Sequence, residues 1–288
     1  MNKINFFVII LVLLLAINCR KFPEKNREKA KKEFYSTGEL KKEIPLINGK
    51  INGNLIIYYK SGKTKAILPF KYNKLDGLCK MFYENNILKS EVPMKNDLIH
   101  GEAKLFYKSG NLRNLSVFKN GKPIGISKNF YDSGKLKAKY EIKKNGIIAQ
   151  EEFYETGELK LKAKLHNDFL KSMILYNKDG TLLNGNVKIL YKSGKVNLKG
   201  FFINGYPKGK IYLYFESGSL EYEGNFKDKK PEDIHKVYFE DGKIQLEIPY
   251  VNGKVHGVVK NYDMFFGGDV EKIYFENGKK IKEESEKI

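Results

Sequence analysis

Gly101-Glu-Ala-Lys-Leu-Phe-Tyr-Lys-Ser-Gly-Asn-Leu-Arg-Asn-Leu-Ser-Val-Phe-Lys-Asn-Gly-Lys-Pro-Ile124 is the stretch that decides the fold. Its apolar residues alternate with polar ones, Ala103, Leu105 and Tyr107 in the first half and Leu115 and Val117 in the second. A period of two places such residues on one face of a strand and rules out a helix. A Lys-Ser-Gly-Asn turn joins the halves and a Lys-Asn-Gly-Lys turn ends them, with glycine supplying the positive φ that a short hairpin needs.

The same unit extends in both directions. Its central turn residues fall at Gly38, Gly62, Asn86, Gly110 and Gly134, each 24 positions after the last, and the series resumes at Gly194, Gly218 and Gly242. Asn86 is the ordinary substitute for glycine at positive φ, so it keeps the beat. A second glycine runs half a unit out of phase at Gly53, Gly77, Gly101, Gly125, Gly185, Gly209 and Gly257. Two turns per unit mean two strands per unit, and a fixed period of this size identifies a repeat array whose units bury their faces against neighbours. The expected fold is therefore all-β, an elongated antiparallel sheet of tandem hairpins that twists into a ribbon. Two intervals break the rhythm, from Gly157 to Gly194 and from Gly242 to Gly278. In both the return strand reads as trimmed, and a break in the array is expected near residues 177–186.

Paired aromatics precede each central turn, for example Tyr58-Tyr59, Phe82-Tyr83, Phe106-Tyr107, Phe130-Tyr131 and Phe153-Tyr154. Neighbours on a strand point to opposite faces, so the sequence predicts an aromatic ladder on each face, one of them core. Tyr59, Tyr83, Tyr107, Tyr131, Tyr154 and Tyr191 are the candidate binding-face aromatics, with core packing as the competing role.

The N-terminus sets a compartment. Lys3 precedes an unbroken apolar run from Phe6 to Ile17, too short to cross a bilayer as a helix and suited to a cleaved export signal. Leu15-Ala16-Ile17-Asn18-Cys19 resembles the lipoprotein box of bacteria, with Asn18 departing from the small residue usual before the cysteine. That resemblance implies a signal peptide over 1–18, a lipid on Cys19 and attachment to the cell envelope. Residues 19–33 are basic and poorly apolar, which reads as a tether; 34–280 is the array, and 281–288 a polar tail. Cys79 remains as a small packed residue.

The net charge of +19 is spread over turn lysines such as Lys60, Lys63, Lys108, Lys135 and Lys195. Lysines at turns and edges keep strands from pairing with other chains. An exported chain has little access to nucleic acid, which is disfavoured as a partner. The four histidines, His100, His166, His235 and His256, form no metal motif, and His100 and His256 share one turn position just before the half-unit glycine. Glu84, Glu155, Glu216, Glu240 and Glu276 recur one per turn and form no acid/base pair. No catalytic site, metal or cofactor is expected.

Tyr58-Tyr59-Lys60-Ser61-Gly62-Lys63, followed half a unit later by Lys74-Leu75-Asp76-Gly77, resembles the bacterial variant of the MORN repeat, and the whole is similar to the YwqK family. The tryptophan expected after the half-unit glycine is missing; Cys79, Ala103 and Val258 or their neighbours stand there. The resemblance implies a ribbon of hairpins that binds rather than catalyses, with a protein or peptide held on a sheet face or edge. Two other functions stay open: electrostatic binding of anionic lipid or acidic polysaccharide, and the antitoxin-like neutralisation of a toxin with which YwqK relatives are associated.

Overall fold

The computed structural model describes residues 30–144, 146–166, 169–191, 193–262 and 269–287. The expected signal segment 1–18, Cys19, the tether up to residue 29 and the Phe265-Phe266-Gly267-Gly268 run lie outside them. All regular elements among the described residues are strands, joined into long antiparallel sheets of hairpins whose strand orders do not close on themselves. Two compact units divide the chain, one up to Pro123 and one from Ile124.

In the first unit the long strands follow one another in the sheet as they do in the chain: Lys31–Phe34, Leu40–Ile44, Gly53–Tyr58, Thr64–Lys71, Gly77–Phe82, Leu88–Lys95, Gly101–Phe106 and Leu112–Lys119. Every tip has the same construction. At the second, the Tyr59 amide donates to the Lys63 carbonyl at 2.8 Å and the Gly62 amide to the Tyr59 carbonyl at 3.0 Å. This is a type I turn closed by one left-handed residue. Gly62 supplies it with φ 79°, and Asn86 does the same with φ 66°.

The return turns are different. Asn48-Gly49, Tyr72-Asn73, Asn96-Asp97 and Asn120-Gly121 have positive φ at both residues, the two-residue turn whose twist matches a right-handed hairpin. Where proline precedes such a turn, the next strand is interrupted, as between Lys74–Leu75 and Gly77–Phe82 or between Leu98–Ile99 and Gly101–Phe106. The half-unit glycine then lies under the proline ring. A Cβ on Gly77 would stand 2.9 Å from Pro69 Cγ, and one on Gly101 3.0 Å from Pro93 Cγ. Where proline follows the turn instead, at Pro207 and Pro231, Tyr206–Tyr214 and Lys230–Tyr238 run unbroken.

One face of this sheet is apolar core: Leu55, Ile57, Ala66, Leu68, Leu75, Met81 and Val92 are all buried. Cys79 packs among them, and burial pushes its thiol up to about 12, which makes it inert. The positions two after the half-unit glycine, Leu55, Cys79 and Ala103, point inward, so small or aliphatic residues fill the place expected of tryptophan. The aromatic pairs differ from expectation. Tyr58-Tyr59, Phe82-Tyr83 and Phe106-Tyr107 are half-buried at the tips, not a core ladder. The cause is a bulge in each hairpin just before the tip, which re-aims the side chains there.

In the second unit Lys122–Phe130, Leu136–Lys143, Gly146–Phe153, Leu159–His166 and Phe169–Leu175 pair in succession. A separate ten-stranded sheet runs from Gly185–Leu190 to Lys279–Lys287. Pairing passes between sheets within 176–184, where the strand after the Gly180 tip is reduced to one bridge between Tyr176 and Leu182. Ala163, Met173 and Leu175 of the first sheet bury themselves with Leu183, Leu198, Phe202, Ile211 and Phe226 around the second. The Gly205 turn seals the change, its carbonyl accepting from the Leu175 amide and its amide donating to Leu183, both at 2.8 Å.

Three boundaries differ from the sequence reading. Lys31–Phe34 is already a strand, although residues 31–33 read as tether, because its lysines meet Glu43 and Glu33 across and along the ladder. Lys279–Lys287 is a strand paired with Asp269–Glu276, although 281–288 read as a tail; an edge strand needs only backbone partners, and its Lys and Glu side chains pair with each other. Gly278 belongs with the return turns and not with the tips: Asn277 and Gly278 have φ 49° and 84°, and the Gly278 amide donates to the Val255 carbonyl at 2.8 Å.

Gly77→Ala should lower stability by roughly 1–3 kcal/mol, since its Cβ meets a proline ring at a φ that L residues avoid. Gly62→Asn, with open space around it and Asn86 as precedent, should cost less than about 1 kcal/mol. Denaturant midpoints of the two variants check the contrast.

Candidate functional site

The tip tyrosines were the candidate ligand platform, and the structure gives each resolved hydroxyl a fixed task. Tyr35 donates to the carbonyl of Tyr58, Tyr59 to Phe82, Tyr83 to Phe106, Tyr131 to Phe153 and Tyr154 to Tyr176, each at 2.8 Å, and Tyr191 to Tyr214 at 2.6 Å. Each acceptor is at or beside the next tip along the sheet. A tyrosine therefore bolts its own hairpin to the following one. Burial raises the Tyr59, Tyr154 and Tyr191 phenols above their ordinary range, as expected of groups committed to protein. Phe215 and Phe239 occupy tip positions without a hydroxyl to donate.

The ring faces are committed as well. Lys65 lies over Tyr59 at 5.5 Å from the ring centre, Lys89 over Tyr83 at 5.5 Å, Arg113 over Tyr107 at 6.0 Å and, in the second unit, Lys137 over Tyr131 at 5.6 Å. These cations share one origin. Ile57 pairs with Ala66 and Tyr58 with Thr64, so Lys65 is the residue that the register skips; Lys89, Arg113 and Lys137 are skipped in the same way. A bulge residue six positions after the tip tyrosine thus sets a charge on the tyrosine face, a favourable cation–π arrangement. At the phenylalanine tips the skipped residues are Glu221 and Gln245. Sequence reasoning missed this row, although Tyr followed six residues later by Lys or Arg would have found it.

A second ladder joins the return turns. The side chain before four of the half-unit glycines accepts from the backbone of the next return turn: Asn52 from the Tyr72 amide, Asp76 from Asn96, Asn184 from Asn204 and His256 from Asn277. His100 meets the Asn120 side chain at 3.1 Å. The shared position of His100 and His256 is therefore a stacking position.

His235 is buried in the second unit. Its Nε2 donates to the Asn225 carbonyl at 2.8 Å, so its Nδ1 accepts from the Tyr222 hydroxyl at 2.7 Å and the ring is neutral. Desolvation lowers its pKa to about 4. Tyr250, tilted against this histidine with ring centres 4.6 Å apart, also lines a cavity of about 180 Å³ with His166, Phe169, Lys171, Lys254 and Asn277. Among the described residues no three His, Cys, Asp or Glu side chains gather as a metal site, and no helix is long and apolar enough to cross a membrane.

Residues 75–96, 99–120, 123–144, 207–228 and 234–252 match the family model described as MORN repeat variant, each segment centred on a tip. The chain carries tandem MORN-variant repeats. No curated protein matches the chain. Among solved structures it is similar to the crystal structure of TcdB2-TccC3, 10% identical over 86% of this chain and 16% of that one, with a TM-score of 0.19. A porin-like protein from Bacteroides uniformis is also 10% identical, over 92% of this chain and 97% of that one, with a TM-score of 0.19. The chain thus spans about a sixth of the first of these. Within the MORN-variant repeats, the tip tyrosine, the bulge cation and the return-turn acceptor are the recurring polar parts.

Tyr83→Phe should destabilise by about 1 kcal/mol, because the Phe106 carbonyl loses its donor, and Phe215→Tyr should gain up to about 1 kcal/mol by supplying one. Urea titration measures both. As the pH falls, the unfolded chain takes a proton at His235 near the ordinary 6.5, while the native chain resists until about 4. Stability at this site is complete above pH 6.5 and should fall by up to about 3 kcal/mol as the pH drops to 4. His235→Phe should remove that part of the pH dependence in unfolding curves.

Proposed function

We propose that the chain is a noncatalytic repeat scaffold of the YwqK-like kind, lipid-anchored at a bacterial cell envelope through Cys19, that holds a protein or peptide partner on a sheet face. The observation that carries this reading is the outward face of the first unit. Turn hydroxyls and carbonyls are spent on joining repeats, whereas the face opposite the core repeats one cross-strand rung, Ile56 with Ile67, Lys80 with Glu91 and Lys104 with Leu115. These side chains are half-exposed and evenly spaced. Repeat arrays bind extended partners by presenting many similar contacts of this kind.

Affinity capture from envelope extracts with the mature chain should recover one stoichiometric protein, and a Lys80→Gln, Lys104→Gln chain should lose it while unfolding within about 1 kcal/mol of the unchanged chain. Equal recovery by both chains would refute the face assignment. Intact-mass spectrometry should find the mature N-terminus at Cys19 carrying a diacylglyceryl group; an unmodified Cys19 would remove the anchor.

A further inference from the structure

The bulge cations of the first unit are assembled without counter-charges. Lys65, Lys89 and Arg113 occupy the same position in three consecutive hairpins. One hairpin advances the sheet by roughly 10 Å, so the three charges stand on neighbouring rungs. Each is half-buried, held down on a tyrosine ring. Some lysines of this unit pair with carboxylates, Lys80 with Glu91 at 3.5 Å and Lys104 with Glu102 at 3.1 Å. Among the described residues none of Lys65, Lys89, Lys108 and Arg113 makes such a pair. The nearby tip carboxylate, Glu84, accepts from the Ser61 hydroxyl at 2.9 Å and makes no ion pair with these cations.

Lys108 completes the group. It follows its tip tyrosine as Lys60 follows Tyr59, and Lys60 leans back over the preceding ring, Tyr35, at 5.8 Å. Lys108 holds the matching place one tip beyond Tyr83, and its charge acts on Lys89. Desolvation, then repulsion from Arg113, Lys65 and Lys108, lowers the Lys89 ammonium below its ordinary range. The Arg113 Nε–H is buried without an acceptor. Like charges fixed this way by the fold are an unfavourable arrangement that a bound anion relieves.

We propose that Lys89, Lys108 and Arg113, with Lys65 one rung further out adding to the positive field, form a binding site for a doubly charged tetrahedral oxyanion, the phosphate or sulfate group of a ligand. A guanidinium fork and flexible ammonium groups together match such a group better than a single carboxylate, which would leave positive charge unpaired. The site needs no protein partner and stands whether or not the scaffold reading holds.

Calorimetric titration of the full mature chain with inorganic phosphate and with inorganic sulfate at low salt tests it. Saturable binding is expected, weakened at least about fivefold by Arg113→Gln and by Lys108→Gln, and kept within about twofold by Lys119→Gln, which neutralises an exposed lysine at the opposite end of the Arg113 strand. Lys108 is exposed in a tip, so its variant keeps the test decisive if Arg113→Gln is unstable. Parallel titrations with phosphatidylglycerol vesicles and with dextran sulfate identify the source: the arm that Lys108→Gln abolishes carries the ligand group, and binding of the free ions alone identifies a small oxyanion. Absence of saturable binding, or equal affinity in the unchanged, Arg113→Gln and Lys108→Gln chains, would overturn the proposal.

Discussion

A tyrosine hydroxyl reaching from one hairpin tip to a carbonyl at the next is the contact on which the rest of the architecture depends. A two-strand unit cannot bury both faces, and an isolated hairpin is marginal in water. Lateral strand pairing alone leaves the tips free to splay. The Tyr59 and Tyr83 hydroxyls prevent this by closing each tip against its neighbour, while Asn73 and Asp97 tie the return turns through paired backbone and side-chain contacts with Ile51 and Leu75. These hairpins of the first unit are thereby fastened at both ends, with aliphatic core between the fastenings.

That fastening commits the tip hydroxyls to the repeat itself and sets a cation on one face of several of the rings. With its hydroxyl bonded and its face covered by a lysine or arginine, a tip tyrosine presents little of itself to a ligand. What it presents is the cation above it. The bulge makes this possible, because an extra residue in one strand is the only one not committed to either face by the pleat. In the proposed oxyanion site, binding chemistry and repeat cohesion share the same short segment, from the tyrosine to the residue six positions on.

Much of this was legible in the sequence. The glycine beat set the hairpins, Asn86 marked a left-handed position that asparagine tolerates, and Cys79 read correctly as core. The failures have identifiable causes. Gly278 follows a Tyr-Phe-Glu string like that of a tip, and only the positive φ of Asn277 distinguishes the return turn. Lys279–Lys287 has the composition of a solvated tail, yet an edge strand draws on backbone bonds that composition does not report. The bulge cations hid within an evenly lysine-rich chain, since a register skip is a property of two strands and neither strand records it alone. The return-turn prolines carried readable information that strand periodicity obscured: their place before or after the turn decides whether the following strand is broken.

The central claim is that neighbouring hairpins are coupled through their tips. Native-state hydrogen exchange of the Tyr83→Phe chain tests it most directly, residue by residue. Coupling through the hydroxyl predicts lost amide protection at the two tips it joins, around residues 83–87 and 107–111, with protection at the Asn73 and Asp97 return turns unchanged. Protection that stays the same at both tips, or falls evenly along the unit, would contradict it.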